Sequence, residues 1–109
     1  MKTEIDFITE IDNALKCNLS SLMFNKQVQF RTVKDVMPNA DYNGTIIILK
    51  CFLNNKRVGM ISISENELLF IDIETNKTIL GNVNDLDSFV FGITKYIQNI
   101  SLLMQINNN

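Results

Sequence analysis

The chain contains no histidine, and its 109 residues include only two cysteines, Cys17 and Cys51, and a single proline, Pro38. Imidazole is the commonest general acid-base group and a frequent zinc ligand, so its absence leaves carboxylates to do any proton transfer. Two cysteines far apart in sequence provide neither a disulfide framework nor a metal site. We therefore expect no cofactor and no metal, and read Cys17 and Cys51 as small buried apolar residues. The four glycines, Gly44, Gly59, Gly81 and Gly92, are isolated from one another, so no glycine-rich phosphate loop can be assembled. Apolar runs are short: Ile46-Ile47-Ile48-Leu49 is as long as any, against the roughly 20 residues that cross a bilayer. Basic excess is also missing, with a formal charge of −2, which argues against nucleic acid because such proteins gather Lys and Arg on one face.

What is present is ordinary globular composition, 46% hydrophobic and 20% charged residues, in a chain of single-domain size. One domain over residues 1–109 is expected. The opening Met1-Lys2-Thr3-Glu4-Ile5-Asp6 is acidic where a signal peptide would be basic and then apolar, so we expect a cytoplasmic protein without a membrane anchor. The abundance of Asn and Ile fits an AT-rich coding sequence and a bacterial, phage or protist source.

Hydrophobic periodicity supplies the architecture. Ile5, Ile8, Ile11, Leu15, Leu19 and Leu22 recur every three or four positions, the stripe of an amphipathic helix, with Thr3 as its N-cap and Glu4, Asp6 and Glu10 favourable to its dipole. From Lys26 the period becomes two, with Val28, Phe30 and Thr32 alternating with polar residues. Pro38 and Asn39-Ala40-Asp41-Tyr42-Asn43-Gly44 interrupt the chain, and Thr45–Leu53 follows as a strand apolar on both faces except at Lys50. Turns at Asn54-Asn55 and Glu65-Asn66 separate it from strands over Val58–Ser64 and Glu67–Ile73, and a short fifth strand over Thr78–Leu80 is weighed. From Asn84 the helical period returns, with Leu86, Val90, Ile93, Ile97, Ile100 and Met104 on one stripe and Phe89, Phe91, Tyr96, Leu103 and Ile106 off it. This second helix is so apolar that it is either the centre of the core or a hidden interface. The expected fold is α+β: an N-terminal helix, an antiparallel meander of four or five strands, and a C-terminal helix, with both helices packed on the sheet.

Chemistry-bearing motifs have plainer structural readings. Asn39 to Gly44 resembles the first half of a calcium loop, but the twelfth position, which should be a bidentate Glu, is Lys50, so the segment reads as an Asx-type turn. Asp72 and Glu74 stand two apart and could form a catalytic carboxylate pair. Alternation explains them as well, if Leu69, Ile71 and Ile73 face in while Phe70, Asp72 and Glu74 face out. Ser20-Ser21 and the cysteines lack a neighbouring base.

Charge segregation is the remaining signal. Residues 16–64 carry seven basic and two acidic side chains, whereas residues 65–87 carry one basic and six acidic. Glu65, Glu67, Asp72, Glu74, Asp85 and Asp87 are therefore the candidate partner-binding residues, a patch suited to steering a basic protein. The competing explanation is internal pairing of Lys56 and Arg57 with carboxylates across a hairpin. We expect a non-catalytic protein-binding module, for example an immunity or inhibitor protein that neutralises a basic toxin. The alternatives are a secretion-chaperone-like homodimer joined through the second helix and, less favoured, a small hydrolase using Asp72, Glu74 or Asp85.

Overall fold

The computed structural model describes residues 2–20, 28–39 and 44–107. Helix α1 (Glu4–Asn18) is followed by strands β1 (Phe30–Asn39), β2 (Gly44–Leu53), β3 (Lys56–Ser64), β4 (Glu67–Ile71) and β5 (Thr78–Asn82), a 3₁₀ turn over Val83–Asp85, and helix α2 (Leu86–Asn107). The strands form one antiparallel sheet in the order β1-β2-β3-β4-β5. Both helices pack on the same face of it. This is the α+β meander expected, with the fifth strand present.

Helix α1 begins where its capping chemistry directs. The Thr3 hydroxyl accepts from the Asp6 amide while the Asp6 carboxylate accepts from the Thr3 amide at 2.8 Å, a reciprocal box. The same backbone hydrogen bond holds the Asp6 carboxyl below its ordinary range. Ile8, Ile11, Leu15 and Leu19 are fully buried, so the stripe faces the sheet from Ile8 on; Ile5, in the first turn, is exposed, and Leu22 lies outside the described residues. Asp12 is also buried on this face, accepting from the Thr32 hydroxyl at 2.7 Å and pairing with Lys16 at 3.2 Å. Burial without partners would be costly. With them, Asp12 ties α1 to β1.

On the helix-covered face lie Phe30, Leu49, Cys51, Leu53, Ile61, Ile63, Leu68 and Phe70, all buried. Cys51 is a core residue as expected, and burial pushes its thiol up to about 12. Cys17 departs from expectation: it is exposed. Two residues beyond Leu15 it has turned some 200° around the helix, away from the core. Between β2 and β3 the register slips, Cys51 facing Gly59 and Phe52 facing Arg57, which leaves Val58 as a bulge. A Cβ on Gly59 would stand 2.4 Å from the Phe70 ring. The bare glycine lets that ring seat beneath the strand.

Helix α2 crosses β5 closely, because a Cβ on Gly81 would meet the Phe89 ring at 2.4 Å. Its Phe89, Val90, Ile93 and Ile97 are buried, and Leu86, Ile100 and Met104 pack partly buried against the same core. Asn18 of α1 donates to Thr94 of α2 at 3.3 Å, while Glu10 and Ala14 line a groove opposite Asp87 and Val90. The two helices thus lie side by side and run in the same direction. Among the described residues no helix is long and apolar enough to cross a membrane.

Strand β4 corrects the expected orientation. Leu68 and Phe70 face the helices and are buried, Leu69 and Ile71 face the other way, and Ile73 is exposed in the turn. Asp72 is not a solvated edge carboxylate; it is 5% exposed. Its carboxylate accepts from the Glu74 amide at 3.0 Å, the Thr75 amide at 3.4 Å and the Tyr96 hydroxyl. The turn consumes the charge.

Candidate protein-binding surface

The meander divides the six candidate carboxylates between two ends of the sheet. Glu67 starts β4 and Asp72 follows its end, which separates them by roughly 17 Å of extended chain. Asp72 belongs to the β4–β5 turn, where the Tyr96 phenol is pushed above its ordinary range by burial first and by the Asp72 hydrogen bond second. Glu74 in the same turn pairs with Lys56 at 3.1 Å. This pair is the internal neutralisation weighed from the sequence. Asp72 and Glu74 therefore do not join Glu65 and Glu67 in a common acidic patch.

The other four do come together. Glu67 pairs with Asn82 across β4 and β5, and the Val83 amide donates to the Asn66 carbonyl at 3.0 Å. These bonds bring the Glu65-Asn66 turn against the start of α2, where Asp85 and Asp87 sit in the positive field of the helix N-terminus. The Asp85 carboxylate accepts from the Ser88 amide at 3.3 Å, so it helps to begin the helix. Glu10 approaches from α1 across the groove it shares with Asp87, and pairs with Lys2. Glu10 could not be grouped with them from its place in the chain, because its position depends on how the helices lie. Among the described residues, Glu65, Glu67, Asp85 and Asp87 form no ion pair.

Glu65 occupies this end at a conformational cost. Its φ is 56°, in the left-handed region, which among the described non-glycine residues only Asn54 and Asn76 share. Asparagine tolerates that backbone well and glutamate does not. A carboxylate is retained at the turn tip where asparagine or glycine would be more stable.

The face of the sheet turned away from both helices is the feature least anticipated. Across one end, register places Arg31, Phe52 and Arg57 side by side on β1, β2 and β3, with the Arg31 guanidinium 4.4 Å from the Phe52 ring centre. One row on come Val33, Lys50, Met60 and Ile71; the next holds Asp35, Ile48, Ser62, Leu69 and Leu80. Lys50 and Asp35 neutralise each other at 3.2 Å. At the far end stand Ser64, Glu67 and Asn82. No element among the described residues covers this face: Leu80 is 78% exposed, and a hollow of about 350 Å³ opens between Ser62, Leu69 and Leu80. The signal was the apolar character of both sides of Thr45–Leu53, which the sequence offers as the mark of a central strand.

Helix α2 leaves Phe91, Leu102 and Leu103 exposed, Phe91 lying under the Lys95 ammonium at 5.4 Å. The side chain of Ile106 lies outside the described residues. No group of three carboxylate or thiol side chains stands in metal-binding proximity among the described residues. The chain matches no protein-family model, no curated protein and no solved structure.

Proposed function

We propose that the protein is a non-catalytic, cytoplasmic binding module, and that its acidic end, formed by Glu65, Glu67, Asp85 and Asp87, engages a basic surface on another protein in the manner of an immunity or inhibitor protein. The observation that carries the reading is Glu65 in left-handed backbone. Strain at a surface turn points to use of the side chain, and here the side chain adds charge to a place already acidic, where Glu65, Glu67, Asp85 and Asp87 form no ion pair among the described residues. Such a field steers association and excludes acidic partners.

A calorimetric titration with a basic candidate partner, such as the product of a neighbouring reading frame, tests this. A complex with one partner per protomer is expected, weakened at least tenfold by Glu65→Lys combined with Asp87→Lys and weakened by salt. Binding that ignores those changes, or no protein partner in pull-down and titration alike, contradicts it. The exposed Phe91, Leu102 and Leu103 favour a second reading, a homodimer through α2 of the kind seen in secretion chaperones. In that case Leu102→Asp reduces the particle to a monomer.

A further inference from the structure

The bare face of the sheet has an apolar middle, a basic end and an acidic end, and we propose that it is a homodimer interface, covered by a second copy of this chain laid on it with its strands reversed. Of the carboxylates assigned above to a basic partner, this face shares only Glu67; Asp85 and Asp87 lie on the helix side.

Size comes first. Five strands about 4.8 Å apart, carrying four rows of outward side chains about 6.8 Å apart, make a face of roughly 500 Å² in projection. Two such faces bury on the order of 1,000 Å², the lower bound for a specific interface. The middle suits that use, since the only charges within it, Lys50 and Asp35, already neutralise each other.

The charges then select the geometry. Two sheets meeting face to face through a two-fold axis have that axis in the interface plane, and where the strands stay aligned it runs close along them or close across them. An axis along the strands lays the row of Arg31 and Arg57 on its own copy, like charge on like. An axis across the strands lays it on the opposite end, where Arg57 faces Ser64 with Glu67 one strand away. Neither Arg57 nor Glu67 has an ion pair within its own chain among the described residues. Under the same operation Ile71 of one copy lies over Leu69 of the other, and Met60 falls beside the 350 Å³ hollow. At both ends Arg57 of one copy then stands one strand from Glu67 of the other, and Ile71 meets Leu69 between them.

Sedimentation equilibrium of the whole chain, carried to roughly 100 μM, decides the matter. The expected particle is two copies of 12.5 kDa. Leu80→Asp, at a site 78% exposed and so without consequence for the core, converts it to a monomer with an unchanged circular dichroism spectrum. Arg57→Glu weakens the dimer roughly tenfold, and adding Glu67→Arg to the same chain restores it. A monomeric wild type overturns the proposal. So does a dimer indifferent to Leu80→Asp, which would assign the contact to α2, and so does a charge exchange that fails to restore association, which would exclude this axis.

Discussion

Both faces of this sheet carry large apolar side chains in their middle rows, yet one builds the fold and the other is left bare. On the helix side, Leu49, Ile61, Leu68 and Phe70 lie at or near zero exposure beneath α1 and α2. One residue along each strand, Ile48, Met60, Leu69 and Ile71 are only half-buried, with no second layer above them among the described residues. What separates the faces is charge placement. The helix side admits Asp12 and Asp72 only with hydrogen-bonding partners, whereas the bare side carries at its rims Arg57 and Glu67, which form no ion pair among the described residues. An apolar middle does not by itself make a face core; the polar and charged rims mark the bare one.

The sharpest way to break this comparison is truncation on each side. Phe70→Ala removes a fully buried ring that lies over Gly59 and meets Tyr96 edge to face at 5.6 Å; a loss of about 3–5 kcal/mol is expected in denaturant unfolding. Leu80→Ala on the bare side should stay within about 0.5 kcal/mol for the monomer. Comparable losses at both sites would refute the distinction. Next in size is Gly81→Ala, where a methyl group has no room beside Phe89; we expect about 1–3 kcal/mol from overpacking, read as a lowered melting temperature.

Tyr96→Phe sharpens the account of buried charge on the helix side. Asp72 loses one of its three donors, for an expected cost of about 1–1.5 kcal/mol. The pH dependence follows from the raised phenol: the unfolded chain loses its proton first, so stability holds below the ordinary tyrosine value of about 10 and falls as pH rises through the folded value. In the Phe variant that alkaline slope should flatten. The smallest effect runs the other way. Glu65→Asn relieves the left-handed backbone and should raise stability by up to about 1 kcal/mol while weakening the proposed basic partner, an exchange visible by pairing unfolding with titration.

The long apolar stripes were legible. Ile8, Ile11, Leu15 and Leu19 specify one side of α1, Thr3 with Asp6 marks its start, and Val90, Ile93 and Ile97 align α2, so periodicity and capping reach the fold directly. The orientation of β4 was not legible, because Leu68-Leu69-Phe70-Ile71 is apolar in both parities and alternation has nothing to act on. The decision came from a turn: Asp72 satisfied by the Glu74 and Thr75 amides and by Tyr96, twenty-four residues on. Cys17 was misplaced for a simpler reason, cysteine being a common core residue whose helical position points outward here. Of the acidic set, the four residues joined by the Val83–Asn66 contact form one end, while Asp72 and Glu74 fall at the other because an antiparallel strand carries its two ends apart.

The central claim is that the helix-free face is built to be covered by its own copy, and isotope-filtered nuclear Overhauser spectroscopy on a mixture of labelled and unlabelled chains tests it most directly. Contacts between the methyl groups of Ile71 in one copy and Leu69 in the other, with Met60 beside them, are predicted. Intermolecular contacts confined to Phe91, Leu102 and Leu103 of α2, or none at concentrations where the chain is fully folded, would contradict it.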